Sequence, residues 1–594
     1  MKDKPRKSAM WGRKFLTLCA LFLIAHLAFA GTRKISPDLQ AGSYSGNVGI
    51  IVQFNQVPTS FHHKKVIKLG GKLNRTLGNF KGAAYQLSVS ELAILAADPT
   101  VIYISPDRPI RSTSTGAPAP VLDYHNETMN TAAAWSQGLN GAGVGVVVVD
   151  SGVASEDDLT AGNMVYSQDF TGLGSAVDQY GHGTHVSGII AGNGTDSTGP
   201  NDSYTFQGVA PGANILNFRV LDQNGNGTYS AVIAAIQTAI QLKSTYNIGV
   251  INLSVGAPVF ESYSQDPLCQ AVEQAWQAGI VVVVAAGNFG RDNAAGTNGY
   301  GTITSPGNDP YVITVGAMNT EGTANPTDDV IASYSSKGPS LVDQIVKPDI
   351  VAPGNLIISL YTPGETLQGE APGNVIPTSL YRTNGSSAPS GSYFELSGTS
   401  MATPMVSGAV ALLLQQNPAQ TPDQIKATLM LTAFKNLVQA SVITDPVTGQ
   451  TFNEQADVFT VGAGEVNIQA ALENTNIAPA AMGSAMSPSA SVDANGNVIL
   501  VPNGSSVLGG NSVLWGSSVL WGSSVLWGSS TDSGESVLWG SSALESDSVL
   551  WGSSTPEADS VLWGSSVLWG SSVLWGSGVN PAMQAASAPI VDRN

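Results

Sequence analysis

Cysteine is nearly absent. The 594 residues contain two, Cys19 and Cys269. Cys19 lies in an apolar N-terminal leader, so a processed chain keeps one thiol and cannot form an internal disulfide. Its stability must come from packing or from ions. Cys269 has no histidine near it in sequence and reads as a structural thiol. Charge is also scarce, at 11% of residues, and 25 Lys+Arg stand against 43 Asp+Glu for a net charge of −18. No basic cluster lies in the body of the chain, which argues against a nucleic-acid partner. Beyond the leader, no apolar run reaches the ~20 residues that span a bilayer.

The leader itself is informative. Lys2, Lys4, Arg6, Lys7, Arg13 and Lys14 precede an apolar stretch from Phe15 to Phe29, and Ala28-Phe29-Ala30 precedes Gly31. This is the pattern of a signal peptide over residues 1–30. It predicts a secreted protein, extracellular or, in a Gram-negative host, periplasmic.

The rest is too long for one core. At about 45–110 the sequence reads as a small α+β unit, with strands near Gly49–Phe54, Gly70–Leu73, Phe80–Leu87 and Val101–Ile104. Ser88 and Glu91 have the spacing of a capping box before a helix from Leu92 to Ala97. Residues 112–120 are Ser, Thr, Gly, Ala and Pro, an accessible linker. From about 121 to 475, apolar runs (Val144–Val149, Ile215–Val220, Val250–Leu253, Ile280–Ala286, Val312–Val315) alternate with helical patterns at Ser230–Leu242 and Leu268–Gln277. Continuous apolar strands between helices predict an α/β fold, a doubly wound and mainly parallel sheet. Such sheets place ligands beyond the carboxyl ends of their strands.

Four segments carry chemistry. Val146-Val147-Val148-Val149-Asp150-Ser151-Gly152 sets a carboxylate at the end of a buried strand, where it needs a hydrogen-bonding partner; a capping or turn aspartate is the plainer reading. Gly181-His182-Gly183-Thr184-His185 puts two of the six histidines at a helix start. Two ligands without a third nearby make a poor zinc set, whereas one histidine suffices for a base. Ser397-Gly398-Thr399-Ser400-Met401-Ala402-Thr403-Pro404 precedes an apolar helix over Met405–Leu414. Ser400 then sits where free N–H groups favour negative charge, unless it serves only as a cap. Pro404 is read as lying near the first turn, where it costs no intrahelical bond. Ala285-Ala286-Gly287-Asn288 brings a side-chain amide to a strand end, where an oxyanion donor would stand.

Taken together and in this order, VVVVDSG, GHGTHVSG, INLSVG, VVVVAAGN and SGTSMATP resemble the subtilisin family of serine proteases over roughly residues 125–475. The resemblance implies a triad of Asp150, His182 and Ser400, with Ser400 as nucleophile, His182 as base and Asp150 orienting the imidazole. It makes His185 structural and assigns the oxyanion to Asn288 and the Ser400 N–H. Protein or peptide substrate would lie extended between Gly225-Asn226-Gly227 and Ser254-Val255-Gly256. Tyr229 would edge a distal pocket, and Thr304 falls near the floor of the first. Residues 45–110 are similar to the family's inhibitory propeptides, which implies an autoprocessed zymogen whose own propeptide is an intramolecular inhibitor. The expected division is 1–30 signal peptide, 31–113 propeptide, 114–475 peptidase domain, 476–505 linker, 506–577 repeats and 578–594 tail.

Two features depart from the family pattern. Pro363–Tyr393 is long and is expected to cover the cleft near Ser400. The loop after Gly192 does not match the family's calcium loop. Asp158 matches one ligand, so a structural calcium is allowed but unsupported. No metal or cofactor is expected for catalysis.

The tail repeats Ser-Val-Leu-Trp-Gly-Ser. Trp515, Trp521, Trp527, Trp539, Trp551, Trp563, Trp569 and Trp575 share a six-residue phase, and Ser533, Glu545 and Glu557 hold that phase without Trp. A β-solenoid and a disordered low-complexity tail both fit. Either would let the tail contact a surface or other copies.

Overall fold

The computed structural model describes residues 34–112, 122–160, 162–445, 449–492 and 498–501, with four short tail strands at 525–527, 536–539, 548–551 and 561–563. The predicted signal peptide and the rest of the tail lie outside the described residues. The chain forms two compact units. The first runs up to Arg108 and includes Gln265–Pro267; the second takes Pro109–Ser264 and everything from Leu268 onward.

The first unit is the expected α+β unit. Its strands β1 (Asn47–Phe54), β2 (Lys72–Thr76), β3 (Gly82–Ser88) and β4 (Val101–Pro106) form an antiparallel sheet in the order β2-β3-β1-β4. Helices α1 (Ser60–Lys68) and α2 (Leu92–Ala96) accompany it. Ile50, Val52, Val66, Tyr85, Leu87, Leu92, Leu95 and Ile104 share its core. The capping box expected at Ser88 and Glu91 is not made. Val89–Glu91 forms a 3-10 turn, and the Ser88 hydroxyl pairs with that of Ser90 at 2.9 Å.

The second unit opens with β5 (Pro109–Arg111). It continues through β6 (Gly145–Asp150), β7 (Met164–Asp169), α3 (His182–Ala191), β8 (Asn214–Arg219), β9 (Asn226–Thr228), α4 (Tyr229–Tyr246) and β10 (Ile248–Leu253). Then come α5 (Pro267–Gln277), β11 (Val281–Ala285), β12 (Ile313–Asn319), β13 (Val330–Ile331) and β14 (Ile350–Pro353). The main sheet has the order β13-β12-β11-β10-β6-β8-β7, with β14 beside β12. All its pairings are parallel except β12 with β13. Every residue of β6 is buried, which is why its sequence is an unbroken Val run rather than an alternation. Neighbouring strands on the two sides of β6 come from opposite windings of the chain, the arrangement that opens a crevice at the strands' carboxyl ends. Asp150 ends β6, and Ser254 follows the last residue of β10.

Beyond the sheet, β15 (Ile357–Leu360), β16 (Val375–Pro377) and β17 (Pro389–Leu396) form a small antiparallel sheet, with α6 (Thr366–Glu370) inside the 363–393 stretch. Helix α7 (Thr399–Gln416) follows, packed on α3 and on the main sheet. Hairpins β18 (Ala440–Thr444) with β19 (Thr451–Gln455) and β20 (Ser489–Val492) with β21 (Val498–Val501) complete this part. In the tail, β22 (Val525–Trp527), β23 (Ser536–Trp539), β24 (Ser548–Trp551) and β25 (Val561–Trp563) form one parallel ladder. Among the described residues, no helix is long and apolar enough to cross a membrane.

Helix α7 corrects the reading of Pro404. The helix starts at Thr399, so Pro404 is in its interior. Lacking an N–H, it leaves the Ser400 carbonyl without its intrahelical donor. The Ser254 hydroxyl takes that place, donating to the Ser400 carbonyl at 2.9 Å.

One buried pair makes the fold sensitive to alkali. The Asp329 and Glu465 carboxyls are fully buried and meet each other. Burial, then mutual repulsion, pushes Glu465 well above the usual carboxylate range; burial raises Asp329 to about 7. Their pKa values are higher folded than unfolded, so the unfolded chain releases protons first. The contribution is full below the unfolded value near 4.5 and is lost as pH rises. In a Ser400→Ala background, which removes self-digestion, unfolding free energy should fall between about pH 5 and pH 9. Glu465→Gln should flatten that slope by roughly 1–3 kcal/mol. Denaturant titrations at the two pH values check it.

Candidate active site

Asp150, His182 and Ser400 come from three elements, and each is brought in by local chemistry. Asp150 is the last residue of β6. The Ser151 N–H donates to its Oδ1 at 2.7 Å, and the His182 Nδ1 lies 2.8 Å from Oδ1 and 3.0 Å from Oδ2. His182 is the first residue of α3. Its approach to β6 depends on Gly183: a Cβ there would stand 2.1 Å from the Gly152 carbonyl oxygen and 3.1 Å from the Asp150 Cβ. Asp178 fixes the turn into the helix. One of its oxygens accepts the Tyr180 and Gly181 N–H groups, and the other accepts the N–H and hydroxyl of Thr184, all within 3.0 Å.

Asp150, His182 and Ser400 are all within 1% of complete burial. The His182 Nε2 has no hydrogen-bond partner among the described residues. With Nδ1 committed to the carboxylate, Nε2 is the nitrogen left for proton transfer. The Ser400 hydroxyl instead donates to the Ser254 carbonyl at 3.1 Å. The aspartate–histidine link is therefore made in this state, and the Ser400 hydroxyl is engaged elsewhere.

Ser254 is thus more than a substrate-facing residue. Its hydroxyl accepts from the Asn252 Nδ2 at 3.0 Å, and the Asn252 Oδ1 accepts from the Ser407 hydroxyl at 2.8 Å. This chain ties the end of β10 to two turns of α7 and holds Ser400 in place. Sequence reading missed Asn252, Ser407 and Asp178. Only Asp178, a short acid four residues before His182, carries a local turn signal.

Asn288 lies just beyond β11. Its Oδ1 accepts both the N–H and the hydroxyl of Thr399 at 2.9 Å. An N–H can only meet the oxygen, so the amide's orientation is fixed and Nδ2 is its donor. His185 bridges two backbone carbonyls instead, its Nε2 3.2 Å from Ile357 O and 3.0 Å from Phe394 O. Burial pushes its pKa down to about 3, so it stays neutral.

The two segments expected to grip substrate already hold a strand of the same chain. Strand β5 runs antiparallel to β9, with Pro109 opposite Thr228, Ile110 opposite Gly227 and Arg111 opposite Asn226. On its other side Arg111 bridges Gly256, and the Ser112 N–H donates to the Gly225 carbonyl at 3.3 Å. Ile110 is fully buried. Val255 and Tyr229 are buried too, with Tyr229 opening α4 directly after β9.

Thr304 packs beside Gly256, the residue that Arg111 bridges. Its N–H donates to the Ala286 carbonyl at 3.0 Å. A Cβ at Gly256 would meet its Oγ1 at 2.6 Å, and one at Gly287 its Cγ2 at 2.7 Å. The threonine side chain therefore fills the gap between the two glycines.

The 363–393 stretch meets the turn that leads into His182. The Thr366 and Leu367 N–H groups donate to the carbonyls of Gln179 and Tyr180. Glu365 in this stretch is buried and raised to about 9, by burial and then by the Asp178 charge. Asp158 accepts the Asp196 N–H and the Tyr393 hydroxyl, both at 2.8 Å. Each of its oxygens thus meets one protein donor. Among the described residues, no group of three or more His, Cys, Asp or Glu is arranged to hold a metal ion. Cys269 is buried against Asn308, with its Sγ 3.3 Å from Oδ1.

Residues 141–464 match the subtilase family. Subtilisin E of Bacillus subtilis is 32% identical over 422 residues, which cover 70% of this chain and 92% of that protein. The chain belongs to the subtilase family. This subtilase is also 39% identical over 298 residues to the serine protease AprX of Bacillus subtilis, covering 49% of the chain but only 62% of AprX. Among solved structures it resembles fervidolysin from Fervidobacterium pennivorans, described as a keratinolytic enzyme related to subtilisin. The TM-score is 0.53 at 24% identity, over 74% of this chain and 62% of that one. At that identity the likeness speaks for the subtilisin-type fold alone.

Proposed function

We propose that this subtilase is a secreted serine endopeptidase, made as a zymogen, in which Ser400 attacks the peptide carbonyl. His182 takes the serine proton at Nε2 and returns it to the leaving amine. Asp150 holds the tautomer and balances the imidazolium. The Asn288 Nδ2 and the Ser400 N–H receive the oxyanion, and water then hydrolyses the acyl-enzyme. The observation that carries this reading is the His182 Nδ1 held at 2.8 Å by Asp150 while Nε2 is left unpaired. A sulfonyl fluoride should add one group, on Ser400, and inactivate the protein. Labelling elsewhere, or activity surviving complete labelling, counts against the assignment.

The position of β5 supports self-processing. Residues 109–112 lie between 225–228 and 256 as an extended substrate would, paired mainly through backbone. The reading follows that the chain before this strand is an inhibitor and that the enzyme cuts shortly after Ser112. The N-terminal leader favours export. Mass spectrometry of exported protein should find a new N-terminus in the 112–120 linker, absent from Ser400→Ala. No metal takes part in this scheme.

Thr304 narrows the first pocket, so a small residue before the cut is the preferred fit. Thr304→Gly should raise kcat/KM for a large apolar residue there, relative to alanine, by about 10–200-fold. Competing peptide substrates measure that ratio directly.

A further inference from the structure

The substrate edge β9 has few partners of its own. Its ladder partner is β5, and Gly227 adds one bridge, to Leu221. Its C-terminal end runs straight into α4, where Tyr229 is buried. The turn at its N-terminal end, 222–226, bonds mostly within itself. The Asp222 N–H donates to the Asn226 carbonyl at 2.8 Å, and the Gly225 N–H to the Asp222 carbonyl at 3.1 Å. The Asp222 Oδ1 accepts the N–H groups of Asn224 and Asn226. These bonds shape the turn but do not fix it against the catalytic centre. Two contacts do. Tyr180 packs beside Gly225, where a Cβ would stand 2.7 Å from its Cε1. Thr366, at the start of α6, supplies the hydrogen bond. Its hydroxyl donates to the Gln223 carbonyl at 2.8 Å and lies 3.2 Å from the Gln179 carbonyl. Its N–H donates to that Gln179 carbonyl at 3.1 Å, and the Leu367 N–H to the Tyr180 carbonyl at 3.0 Å. Gln179 is itself anchored. Arg219, fully buried at the end of β8, donates to its Oε1 at 3.0 Å and to the Ser175 and Val177 carbonyls at 3.2 and 2.7 Å.

We infer that Thr366 is a positioning residue for extended substrates: its hydroxyl holds the 222–226 turn, and with it β9, against the turn that carries the base. The inference rests on the peptidase reading and adds to it a residue that touches neither substrate nor the reacting atoms. Its need follows from self-processing. Once the chain is cut after Ser112, β5 is free to leave, and β9 loses its ladder partner. Substrate must then pair with an edge whose leading turn is held by the Tyr180 packing and the Thr366 bond. Backbone pairing of this kind depends on the edge being in place beforehand. The two donors of Thr366 divide the work. The N–H serves the turn into His182, and the hydroxyl serves the substrate edge. Losing the hydroxyl alone therefore loosens the edge and leaves the base where it is. The cost depends on how far a substrate reaches. One residue before the cut does not extend to 226–228, where Pro109, Ile110 and Arg111 pair now. A peptide with six residues before the cut does.

The test compares the processed parent with Thr366→Val on two esters that share the same last residue and leaving group. One carries six residues before the cut, the other a single acetylated residue. In Thr366→Val the KM of the long ester should rise about fivefold, the worth of one hydrogen bond, with kcat little changed. The short ester should keep its kcat/KM within twofold. Thr366→Ser restores a hydroxyl and should return the long-ester KM to within twofold of the parent. Amide hydrogen exchange gives a reading that needs no turnover. It should quicken about fivefold over 222–226 in Thr366→Val and stay unchanged over 178–181. Equal losses on both esters would make the hydroxyl a general support of the fold. An unchanged long-ester KM, a serine variant that fails to restore it, or unchanged exchange over 222–226 would each mean that the edge holds itself. Any of these overturns the inference. A parent that cleaves neither ester defeats the peptidase reading, and this inference with it.

Discussion

Ser400→Ala is expected to lower kcat by about 10⁶-fold, a figure taken from subtilisin itself, while leaving the fold intact. The two effects separate because the hydroxyl does little for stability. It makes one hydrogen bond, to the Ser254 carbonyl at 3.1 Å, and the loss of such a bond costs about 1 kcal/mol. The other restraints on this helix start remain. Ser254 still donates to the residue 400 carbonyl, and Thr399 still holds Asn288. What disappears is the hydroxyl proposed to form the acyl bond. The remaining rate, about 10³–10⁴ above water, would come from oxyanion stabilisation and substrate positioning. Turnover of a peptide amide, measured beside thermal unfolding of both proteins, checks the prediction. A variant that keeps more than a tenth of the parent kcat would remove Ser400 from the mechanism. A variant that fails to fold would show that the hydroxyl is structural.

The sequence could be read this far because its chemistry is local. An unbroken Val run ending in Asp150, a histidine between glycines and a serine before an apolar helix each depend on neighbours within a few residues. So does the choice of a parallel sheet, since β6 is buried on both faces. Features that depend on distant partners could not be read. Helix α7 begins six residues before the apolar run because Ser254 satisfies the carbonyl that Pro404 leaves open. Ser88 has the spacing of a cap, but the chain after it turns tightly instead. The length of the 363–393 stretch shows that it is extra, but not that its backbone bonds to Gln179 and Tyr180 anchor it beside the turn into His182. The four described tail strands pair at a twelve-residue spacing, which a shared six-residue phase hides.

Asp150→Asn should lower kcat by about 10⁴-fold with almost no change in shape. The carboxylate has two jobs, and an amide can do only one of them. Its Oδ1 accepts the Ser151 N–H at 2.7 Å, which selects oxygen at that position. In the variant the amide nitrogen must then take the place of Oδ2, 3.0 Å from the His182 Nδ1. The His182 Nδ1 then meets the retained Oδ1 at 2.8 Å beside an amide donor, so the Nδ1–H tautomer is held less firmly than by two carboxylate oxygens. The larger loss is the counter-charge of the developing imidazolium. Labelling of Ser400 by a sulfonyl fluoride should slow along with kcat, because both need the same base. Substrate KM should change little, since the strand-pairing segments at 225–228 and 254–256 are untouched. A loss below tenfold, or a fall in binding without a fall in kcat, would mean that Asp150 only braces the end of β6.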